Sequence, residues 1–373
     1  MAGIYLHIPF CKQACTYCNF HFTTSLRYKD ELVKALAKEA EAEKEYLRGE
    51  QINTIYFGGG TPSILDVSEL EFLILNLRGH YSIQNDCEIT LETNPDNITT
   101  EKLQAWVDLG INRLSIGVQS FFEEELRWMN RAHNAIQAIN SLQLAKKYFE
   151  NITVDLIYGS PLLTDEMWKQ NVDRVIEMHI PHLSCYALTV EEKTPLHKLI
   201  SANKTANVDD EKQARQFLLL MQWLRENGYE HYEVSNFAKP GFRSRHNSSY
   251  WKGEKYLGVG PSAHSYNGVE RRWNVANNNL YIKDINKDIS KRETEILTPK
   301  QKLNEFIMIS LRTVEGMDLD KLHHEFGFEE RKRIEIELQK FILNNLVKQN
   351  GLSFQLTDEG ILRADGIASE LFV

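Results

Sequence analysis

The sequence predicts an α/β fold in which a mainly parallel sheet curves into a barrel or a partial barrel. Short β-branched or aromatic runs alternate about six times with longer amphipathic stretches. The short runs carry few charges, which suggests that the strands are buried on both faces. Polar or glycine-rich residues follow nearly every run, and a β/α barrel brings such strand ends together on one face.

The predicted strands are short and apolar, and the predicted helices carry apolar residues at helical spacing. The strands are expected at Ile4–Ile8, Ile52–Phe57, Glu88–Leu91, Arg113–Gly117, Thr153–Ile157 and Leu183–Leu188, with a weaker one at Tyr229–Val234. The helices are expected at Tyr28–Leu47, Ser68–Leu77, Thr99–Leu109, Ala135–Phe149 and Asp165–Met178. Ser68 is the expected N-cap of the second helix, and Thr99 or Thr100 that of the third.

The chain is expected to divide into three parts: a barrel over residues 1–235, a loop-rich extension over 236–290 and a helical domain over 291–373. The last part has three helical patterns, a short strand and a final helix, which suggests a small winged-helix-like module. Its helices and strand are expected at Lys302–Arg312, Leu319–Glu325, Arg331–Leu346 and Leu352–Leu356.

The charge balance argues against a nucleic-acid-binding protein. Lys and Arg number 43 and Asp and Glu number 52, so the net charge is −9, whereas a nucleic-acid binder needs a basic face. No run reaches the ~18 apolar residues of a membrane span, and the first residues lack the features of a signal peptide. The expected location is therefore cytoplasmic.

Three of the five cysteines form a C-x3-C-x2-C motif after the first strand: Cys11, Cys15 and Cys18. Three thiolates can hold three irons of a [4Fe–4S] cluster and leave the fourth iron open. An open iron can chelate the amino and carboxylate groups of S-adenosylmethionine, and electron transfer from the reduced cluster then yields a 5′-deoxyadenosyl radical. The alternative is a zinc-stabilised binding module in which His21 completes a Cys3His site. The other two cysteines, Cys87 and Cys185, are expected to be buried thiols.

The polar groups at other strand ends suggest a ligand site next to the cysteines. Gly58-Gly-Gly-Thr-Pro62 could let backbone groups approach the methionine end of S-adenosylmethionine, although a tight turn explains it equally well. Glu92, Gln119 and Asp155 end strands and could bind ribose hydroxyls or an ammonium group, and Arg131 could meet a carboxylate. For each of them alone, a capping or salt-bridge role is as good an explanation.

A second motif, His246-Asn-Ser-Ser-Tyr-Trp251, is predicted to lie in a loop. A loop histidine followed by two adjacent aromatic residues suits an axial ligand beside a flat macrocycle. An ordinary turn with its aromatic rings folded onto the barrel is the alternative, and the residues alone favour that alternative.

Five motifs in order resemble the oxygen-independent coproporphyrinogen III oxidase family of radical S-adenosylmethionine (radical SAM) proteins. They are Tyr5-Leu-His-Ile-Pro-Phe-Cys11, Tyr56-Phe-Gly-Gly-Gly-Thr-Pro-Ser63, Leu114-Ser-Ile-Gly-Val-Gln-Ser-Phe121, Asn130-Arg131 and Asp155-Leu-Ile-Tyr-Gly159. The resemblance runs from about residue 3 to the C-terminus. It implies a partial (β/α)6 TIM-like radical SAM barrel with a small C-terminal winged-helix-like domain.

The resemblance also implies roles for individual residues. Cys11, Cys15 and Cys18 would hold the cluster. S-adenosylmethionine would contact Tyr5, Tyr17, Gly59, Gly60, Thr61 and Glu92. Gln119, Arg131 and Asp155 match residues at the paired cofactor sites of the oxidases, and His264 matches less securely.

Two departures from the oxidases resemble the HemW branch of the family, whose members are regarded as heme chaperones. Phe20 stands where the oxidases have a further cysteine, and Cys11 lies too near Met1 for their long N-terminal extension. In that branch the motif at His246 is the proposed heme-related element. The resemblance thus implies a protein that carries the cluster and S-adenosylmethionine, binds heme and passes it to an acceptor protein.

The alternative implied by the same resemblance is anaerobic oxidative decarboxylation of coproporphyrinogen III, so whether the protein is an enzyme is left open. The expected partners are heme, an unidentified heme-acceptor protein and an electron donor for the cluster, with no nucleic acid. A membrane-associated acceptor, and a monomer or a homodimer, are left open.

Overall fold

The computed structural model describes residues 1–289 and 292–373. The strands within them are β1 (Ala2–Ile8), β2 (Ile52–Gly59), β3 (Ile83–Thr93), β4 (Arg113–Gln119), β5 (Ile152–Tyr158), β6 (His182–Ala187), β7 (Glu230–Glu233), β8 (Asn236–Ala238), β9 (Lys255–Val259), β10 (His264–Tyr266), β11 (Glu270–Asn274), β12 (Arg292–Ile296), β13 (Met317–Asp318), β14 (Val347–Asn350) and β15 (Ser353–Leu356).

The helices in the same part of the chain are α1 (Lys29–Ala42), α2 (Val67–His80), α3 (Thr100–Asp108), α4 (Glu123–Trp128), α5 (Ala135–Ala145), α6 (Asp165–Glu177), α7 (Pro195–Ser201), α8 (Asp210–Glu226), α9 (Arg245–Trp251), α10 (Asn278–Asn286), α11 (Pro299–Leu311), α12 (Leu319–Phe326), α13 (Phe328–Leu343), α14 (Asp358–Ile361) and α15 (Ala364–Glu370). Short 3-10 turns follow β2 and β3 at Pro62–Ile64 and Pro95–Asn97.

The large sheet has the strand order β12-β11-β10-β9-β1-β2-β3-β4-β5-β6-β8-β7. Strands β1 to β6 are parallel neighbours, and β9 pairs parallel with β1 on its other side. The outer strands pair antiparallel, and β7 and β12 are the two edges. The predicted parallel β/α core is therefore confirmed, as an open barrel whose sheet continues beyond it on both sides.

The N-caps follow the side-chain chemistry at the helix starts. The Thr99 hydroxyl accepts a hydrogen bond from the N–H of Lys102 at 3.3 Å, as predicted for α3. The prediction of Ser68 as the cap of α2 is wrong, because that helix begins earlier. Its N-cap is Asp66, whose N–H donates to Oε2 of Glu69 at 2.8 Å in a capping box.

Alternate residues of the parallel strands face an apolar outer layer and a polar interior. In β1, Ile4, Leu6 and Ile8 are fully buried in the main hydrophobic core, while Tyr5 and His7 between them are hydrogen-bonded to each other. Period-two alternation lets one strand serve the core on one face and a ligand site on the other. The interior is therefore more polar than the low charge of the strands suggested.

The segment predicted to be a loop-rich extension is largely regular. It contains α9, which carries the His246 motif, and strands β9 to β11, which extend the sheet beside β1. The prediction of a loop around His246 is therefore wrong. Ser244 caps α9 by accepting from the N–H of Asn247 at 3.2 Å. The predicted domain boundary at residues 290 and 291 lies outside the described residues.

The C-terminal residues form a module with its own hydrophobic core, built from α11 to α15 around the small sheet β13-β15-β14. Three helices followed by a strand pair match the predicted winged-helix-like pattern. The module touches both edges of the large sheet. The N–H of Val314 donates to the carbonyl O of Tyr232 in β7 at 3.1 Å, and Nε2 of Gln301 donates to Oε1 of Glu295 in β12 at 2.6 Å.

A search of the described residues finds no helix whose length and apolar character would let it cross a membrane.

Candidate functional site

A cavity of about 420 Å³ opens at the carboxyl ends of the parallel strands, where the sequence predicted that polar groups meet. The loop after β1, the glycine run after β2 and the ends of β3 to β6 form its walls. The predicted site residues that line it are Cys11, Cys15, Tyr17, Cys18, Gly59, Gly60, Thr61, Glu92, Gln119, Arg131 and Asp155. Tyr5 and His246 lie outside it.

Backbone hydrogen bonds hold the cysteine loop in place. The N–H of Cys11 donates to the carbonyl O of Thr23 at 3.0 Å, and the N–H of Thr23 donates to that of Pro9 at 2.8 Å, which closes the base of the loop. The N–H of Thr16 donates to the carbonyl O of Met129 at 3.1 Å. The loop is thereby fixed to the segment after β4, and the partly exposed cysteines face the cavity from a rigid frame.

The thiols need a cation to become ligands. Burial raises the pKa of the Cys11 thiol to about 11 and raises that of Cys18. The thiolate is the form that binds metal, so iron must displace the protons as it binds. Nη1 of Arg131 lies 3.2 Å from Sγ of Cys15, so the guanidinium places a positive charge next to this remaining sulfur of the motif.

The glycine run passes so close to the cysteine loop that no side chain fits. A Cβ on Gly60 would lie 2.6 Å from the carbonyl O of Phe10 and 3.0 Å from Sγ of Cys11. Gly59 has a φ of 111°, which residues with a Cβ rarely adopt. The N–H of Thr61 donates to the same Phe10 carbonyl at 2.7 Å. The run is therefore a cradle built against the cysteines, and not only a turn.

Glu92 lies next to this cradle with both carboxylate oxygens engaged. The Tyr56 hydroxyl donates to Oε1 at 2.8 Å, and the N–H of Gly59 donates to Oε2 at 3.1 Å. Burial raises the pKa of Glu92 to about 7, and the negative charge of Asp155 acts in the same direction. The raised pKa favours the protonated acid in the empty cavity, and a ligand that donates N–H hydrogen bonds there would favour the carboxylate.

Arg131 joins several parts of the site. Its Nη2 donates to the carbonyl O of Gly117 at 2.6 Å and to Oδ1 of Asn94 at 2.7 Å. Nδ2 of Asn94 in turn donates to Oγ1 of Thr61 at 3.1 Å, and that hydroxyl lies 3.7 Å from Sγ of Cys11. A continuous polar chain thus runs along the cavity from Cys15, through Arg131, to Cys11.

Asp155 and Gln119 form the far wall. The Ser115 hydroxyl lies 3.2 Å from each carboxylate oxygen of Asp155, and burial raises the pKa of Asp155 to about 6. Gln119 ends β4 with a φ of 67°, a conformation that costs a residue with a Cβ energy and is concentrated at functional sites.

The residues fit a [4Fe–4S] cluster better than a zinc ion. Among the described residues, no three His, Cys, Asp or Glu side chains stand close enough together to hold one metal ion. Nε2 of His21, the proposed fourth zinc ligand, is hydrogen-bonded to Oδ1 of Asn278 at 2.7 Å. The three cysteines instead line a cavity that also has a glycine cradle, which leaves room for a cofactor beside a bound cluster. Cys87 and Cys185 are buried, as predicted.

His246 does not have the surroundings that a heme ligand requires. Its side chain is 1% exposed. Its Nδ1 is hydrogen-bonded to Oγ1 of Thr54 at 2.8 Å, and its Nε2 to the Tyr250 hydroxyl at 2.9 Å. An axial ligand needs a free ring nitrogen and room for the macrocycle. Both ring nitrogens are hydrogen-bonded within the protein, and ligation of heme by His246 stays a prediction.

Tyr5 and His264 are also placed away from the cavity wall. The Tyr5 hydroxyl is hydrogen-bonded to Nδ1 of His7 at 3.1 Å, beneath the glycine run. His264 is exposed on β10, and its ring stacks on Trp273 with 5.9 Å between centroids. Tyr5 can therefore act on the cavity through its neighbours, whereas His264 belongs to an outer face of the extension.

Asn94, Ser115, Gly117 and Tyr56 were missed by the sequence analysis. A signal for two of them was present, because Ser115 and Gly117 share a strand face with Gln119 at a period of two. A Cβ on Gly117 would lie 3.0 Å from Nε2 of Gln119 and 3.2 Å from Nη2 of Arg131. This glycine makes room for both side chains.

Two family models match the chain. The model of the Radical SAM superfamily matches residues 5–175, and that of the HemN C-terminal domain matches residues 297–363. Among solved structures, coproporphyrinogen III oxidase (HemN) from Escherichia coli superposes with a TM-score of 0.85 and 23% identity, covering 100% of this chain and 90% of that one. This structural likeness confirms the fold.

Curated relatives match over nearly the whole length. The heme chaperone HemW of Lactococcus lactis subsp. lactis (strain IL1403) is 33% identical, over 95% of this chain and 93% of that protein. HemW of Escherichia coli (strain K12) is 35% identical over 70% and 69%. The mitochondrial radical S-adenosyl methionine domain-containing protein 1 of Danio rerio is 31% identical over 85% and 74%. The chain therefore belongs to the HemW family of radical SAM proteins.

Proposed function

We propose that this protein is a heme chaperone, which binds heme and delivers it to an acceptor protein while carrying a [4Fe–4S] cluster and S-adenosylmethionine. The observation that carries the proposal is the near-complete coverage, at 33% identity, of relatives named heme chaperone HemW. The cavity supports the cofactor part of the proposal, because it brings the cysteines, the glycine cradle and Glu92 together.

A cluster of this kind, when bound, offers an open iron to the amino and carboxylate groups of S-adenosylmethionine and can supply it with an electron. The residues have separate tasks around it. Cys11, Cys15 and Cys18 hold the cluster, and Arg131 offsets its negative charge through Cys15. The backbone at Gly59 and Gly60 would seat the methionine end of the cofactor, and Glu92 would accept a hydrogen bond from its amino group.

The cavity mouth gives heme a place to approach the cluster. Phe20, in the cysteine loop, lines the cavity and is 68% exposed, and Tyr186 of β6, which also lines it, is 43% exposed. Exposed aromatic surface at a cavity mouth is typical of binding sites for flat apolar ligands. Heme is therefore assigned to this mouth and not to His246.

The remaining partners belong to the same proposal. A heme-accepting protein, which could be a membrane-associated one, takes the heme, and a separate electron donor reduces the cluster. The protein works in the cytoplasm as a monomer or a homodimer. The charge of −9 supports partners other than nucleic acid.

The test is anaerobic reconstitution of the full chain followed by heme titration, with and without S-adenosylmethionine. We expect iron and sulfide at about four each per chain, a saturable heme spectrum, and transfer of heme to an apo-acceptor. A matched assay offers coproporphyrinogen III under the same conditions. Conversion of that substrate by a protein that binds no heme would overturn the proposal in favour of the decarboxylase. A preparation that holds only zinc would overturn the cofactor part.

A further inference from the structure

His246 belongs to a stack of three rings that lies beneath the glycine run. The ring centroids of His246 and Tyr56 are 5.0 Å apart with 29° between the planes, and those of Tyr5 and Tyr56 are 6.0 Å apart with 28°. A Cβ on Gly58 would lie 2.8 Å from each tyrosine ring. The cradle therefore rests directly on the stack.

The two tyrosine hydroxyls hold the cradle from two sides. The Tyr56 hydroxyl donates to Glu92, whose other oxygen accepts from the N–H of Gly59. The Tyr5 hydroxyl is hydrogen-bonded to His7, whose ring leaves no space for a Cβ on Gly59. A tilt of the stack would thus move the carboxylate and the glycine together.

The histidine ring is itself fixed at every polar atom. Thr54 and Tyr250 hold its two nitrogens, and its backbone N–H donates to Oε1 of Glu88 at 3.0 Å. A Cβ on Gly3 would lie 3.2 Å from the ring, so the strand leaves this ring just enough space. A ring held in this way is a rigid support, because moving it costs two buried hydrogen bonds.

We propose that His246 is a positioning residue for the S-adenosylmethionine site, where it acts through Tyr56 to aim Glu92 at the cofactor and does not bind heme iron. The proposal rests on the proposed function in one respect, which is that the cavity takes S-adenosylmethionine. The motif around His246 does not line the cavity, and the proposal gives it a role there through Tyr56.

The test measures S-adenosylmethionine affinity and heme affinity separately on the anaerobically reconstituted full chain. We expect His246→Ala and Tyr56→Phe each to raise the Kd for S-adenosylmethionine about five-fold or more, the worth of one buried hydrogen bond. Because both residues act through Glu92, the Kd for S-adenosylmethionine of the double variant should be only slightly higher than that of the single variant with the higher Kd. Heme affinity should stay within about two-fold of wild type in each variant, which is a smaller change than the loss of one buried hydrogen bond would cause.

Tyr250→Phe repeats the test without opening a cavity. It frees Nε2 of His246, so heme ligation by this ring would become easier, whereas the positioning role predicts weaker S-adenosylmethionine binding and unchanged heme binding. His324→Ala, at an exposed position of α12, is the matched control and should change neither affinity. The proposal is wrong if His246→Ala abolishes heme binding while the affinity for S-adenosylmethionine is unchanged. A wild-type protein that binds S-adenosylmethionine but no heme would instead count against the proposed function.

Discussion

Nη1 of Arg131 lies 3.2 Å from Sγ of Cys15, and its Nη2 donates to Oδ1 of Asn94 and to the carbonyl O of Gly117. The geometry places a fixed positive charge on one ligand of the cluster. Hydrogen bonds to ligand sulfurs and nearby positive charge raise the reduction potential of an iron–sulfur cluster, because they favour the more negative reduced state.

Replacing Arg131 should therefore make the cluster harder to reduce. We expect Arg131→Met to lower the potential by some tens of millivolts, measured by redox titration followed by electron paramagnetic resonance. Arg127→Met is the matched control, because Arg127 is 77% exposed and pairs only with Glu123 among the described residues. An unchanged potential in Arg131→Met would show that this contact does not tune the cluster.

Replacing a cysteine of the motif should lower the iron and sulfide content, whereas replacing Cys87 or Cys185 should not. We expect Cys18→Ser to reduce iron and sulfide strongly after reconstitution, because a cluster tethered at two corners is readily lost. Cys87→Ser, in a buried strand position outside the cavity, should keep both near wild-type content. Equal loss in the two variants would mean that misfolding, and not ligand removal, causes the effect.

The carboxyl group of Glu92 should make stability depend on pH. Its pKa in the folded chain is raised to about 7 from 4.5, so between these values the folded state binds more protons than the unfolded state. Stability contributed by this group is therefore full below about pH 4.5 and is lost as pH rises to about 7, by on the order of 3 kcal/mol. Asp155, whose pKa is raised to about 6, adds to the loss in the same direction.

The measurement is the free energy of unfolding of the metal-free chain against pH. Glu92→Gln should flatten the decline across this window, and the exposed Glu31→Gln should leave it unchanged. S-adenosylmethionine binding to the reconstituted protein should show the opposite trend and tighten as Glu92 ionises. A decline in wild type between pH 4.5 and 7 that is no steeper than that of Glu92→Gln would contradict the assignment.

Arg292 fixes the sheet extension through a buried ion pair. Its Nη2 lies 2.6 Å from Oε1 of Glu39, and Glu39 is fully buried in α1. Removing one partner of a buried pair leaves an uncompensated charge, so Arg292→Ala should cost about 3–5 kcal/mol of unfolding free energy. Arg225→Ala breaks the exposed pair with Asp358 and should cost less than about 1 kcal/mol. Denaturant unfolding of both variants compares the two, and similar costs would contradict the burial argument.

The sequence predicted the parallel core because each of its buried strands is a short, continuous apolar run, as at Thr153–Ile157 within β5. It did not predict β9, which pairs parallel with β1, or β10 to β12, which pair antiparallel beyond it, with Arg271 opposite Glu295. These short strands are stabilised by pairing with their neighbours, and their sequences lack the alternation of apolar and polar residues that would predict them.

The cavity was predictable where strand ends bear unusual polar groups, as at Glu92 and Asp155. The surroundings of His246 were not, because its partner Thr54 is 192 residues away in sequence and its space depends on the bare backbone at Gly3. When a histidine lies in a short helix without apolar periodicity, the sequence does not indicate how deeply its side chain is buried. Tertiary pairing decides that depth, and a single sequence does not contain it.

The C-terminal module covers one border of the open sheet, because the N–H of Val314 donates to the carbonyl O of Tyr232 in β7, and Thr313 forms an isolated β-bridge with Glu233. Uncovered strand edges expose rows of unpaired amide and carbonyl groups that recruit other chains. A barrel expressed without this module would therefore carry an uncovered edge at β7 and should form insoluble aggregates, even though every cluster ligand remained on it.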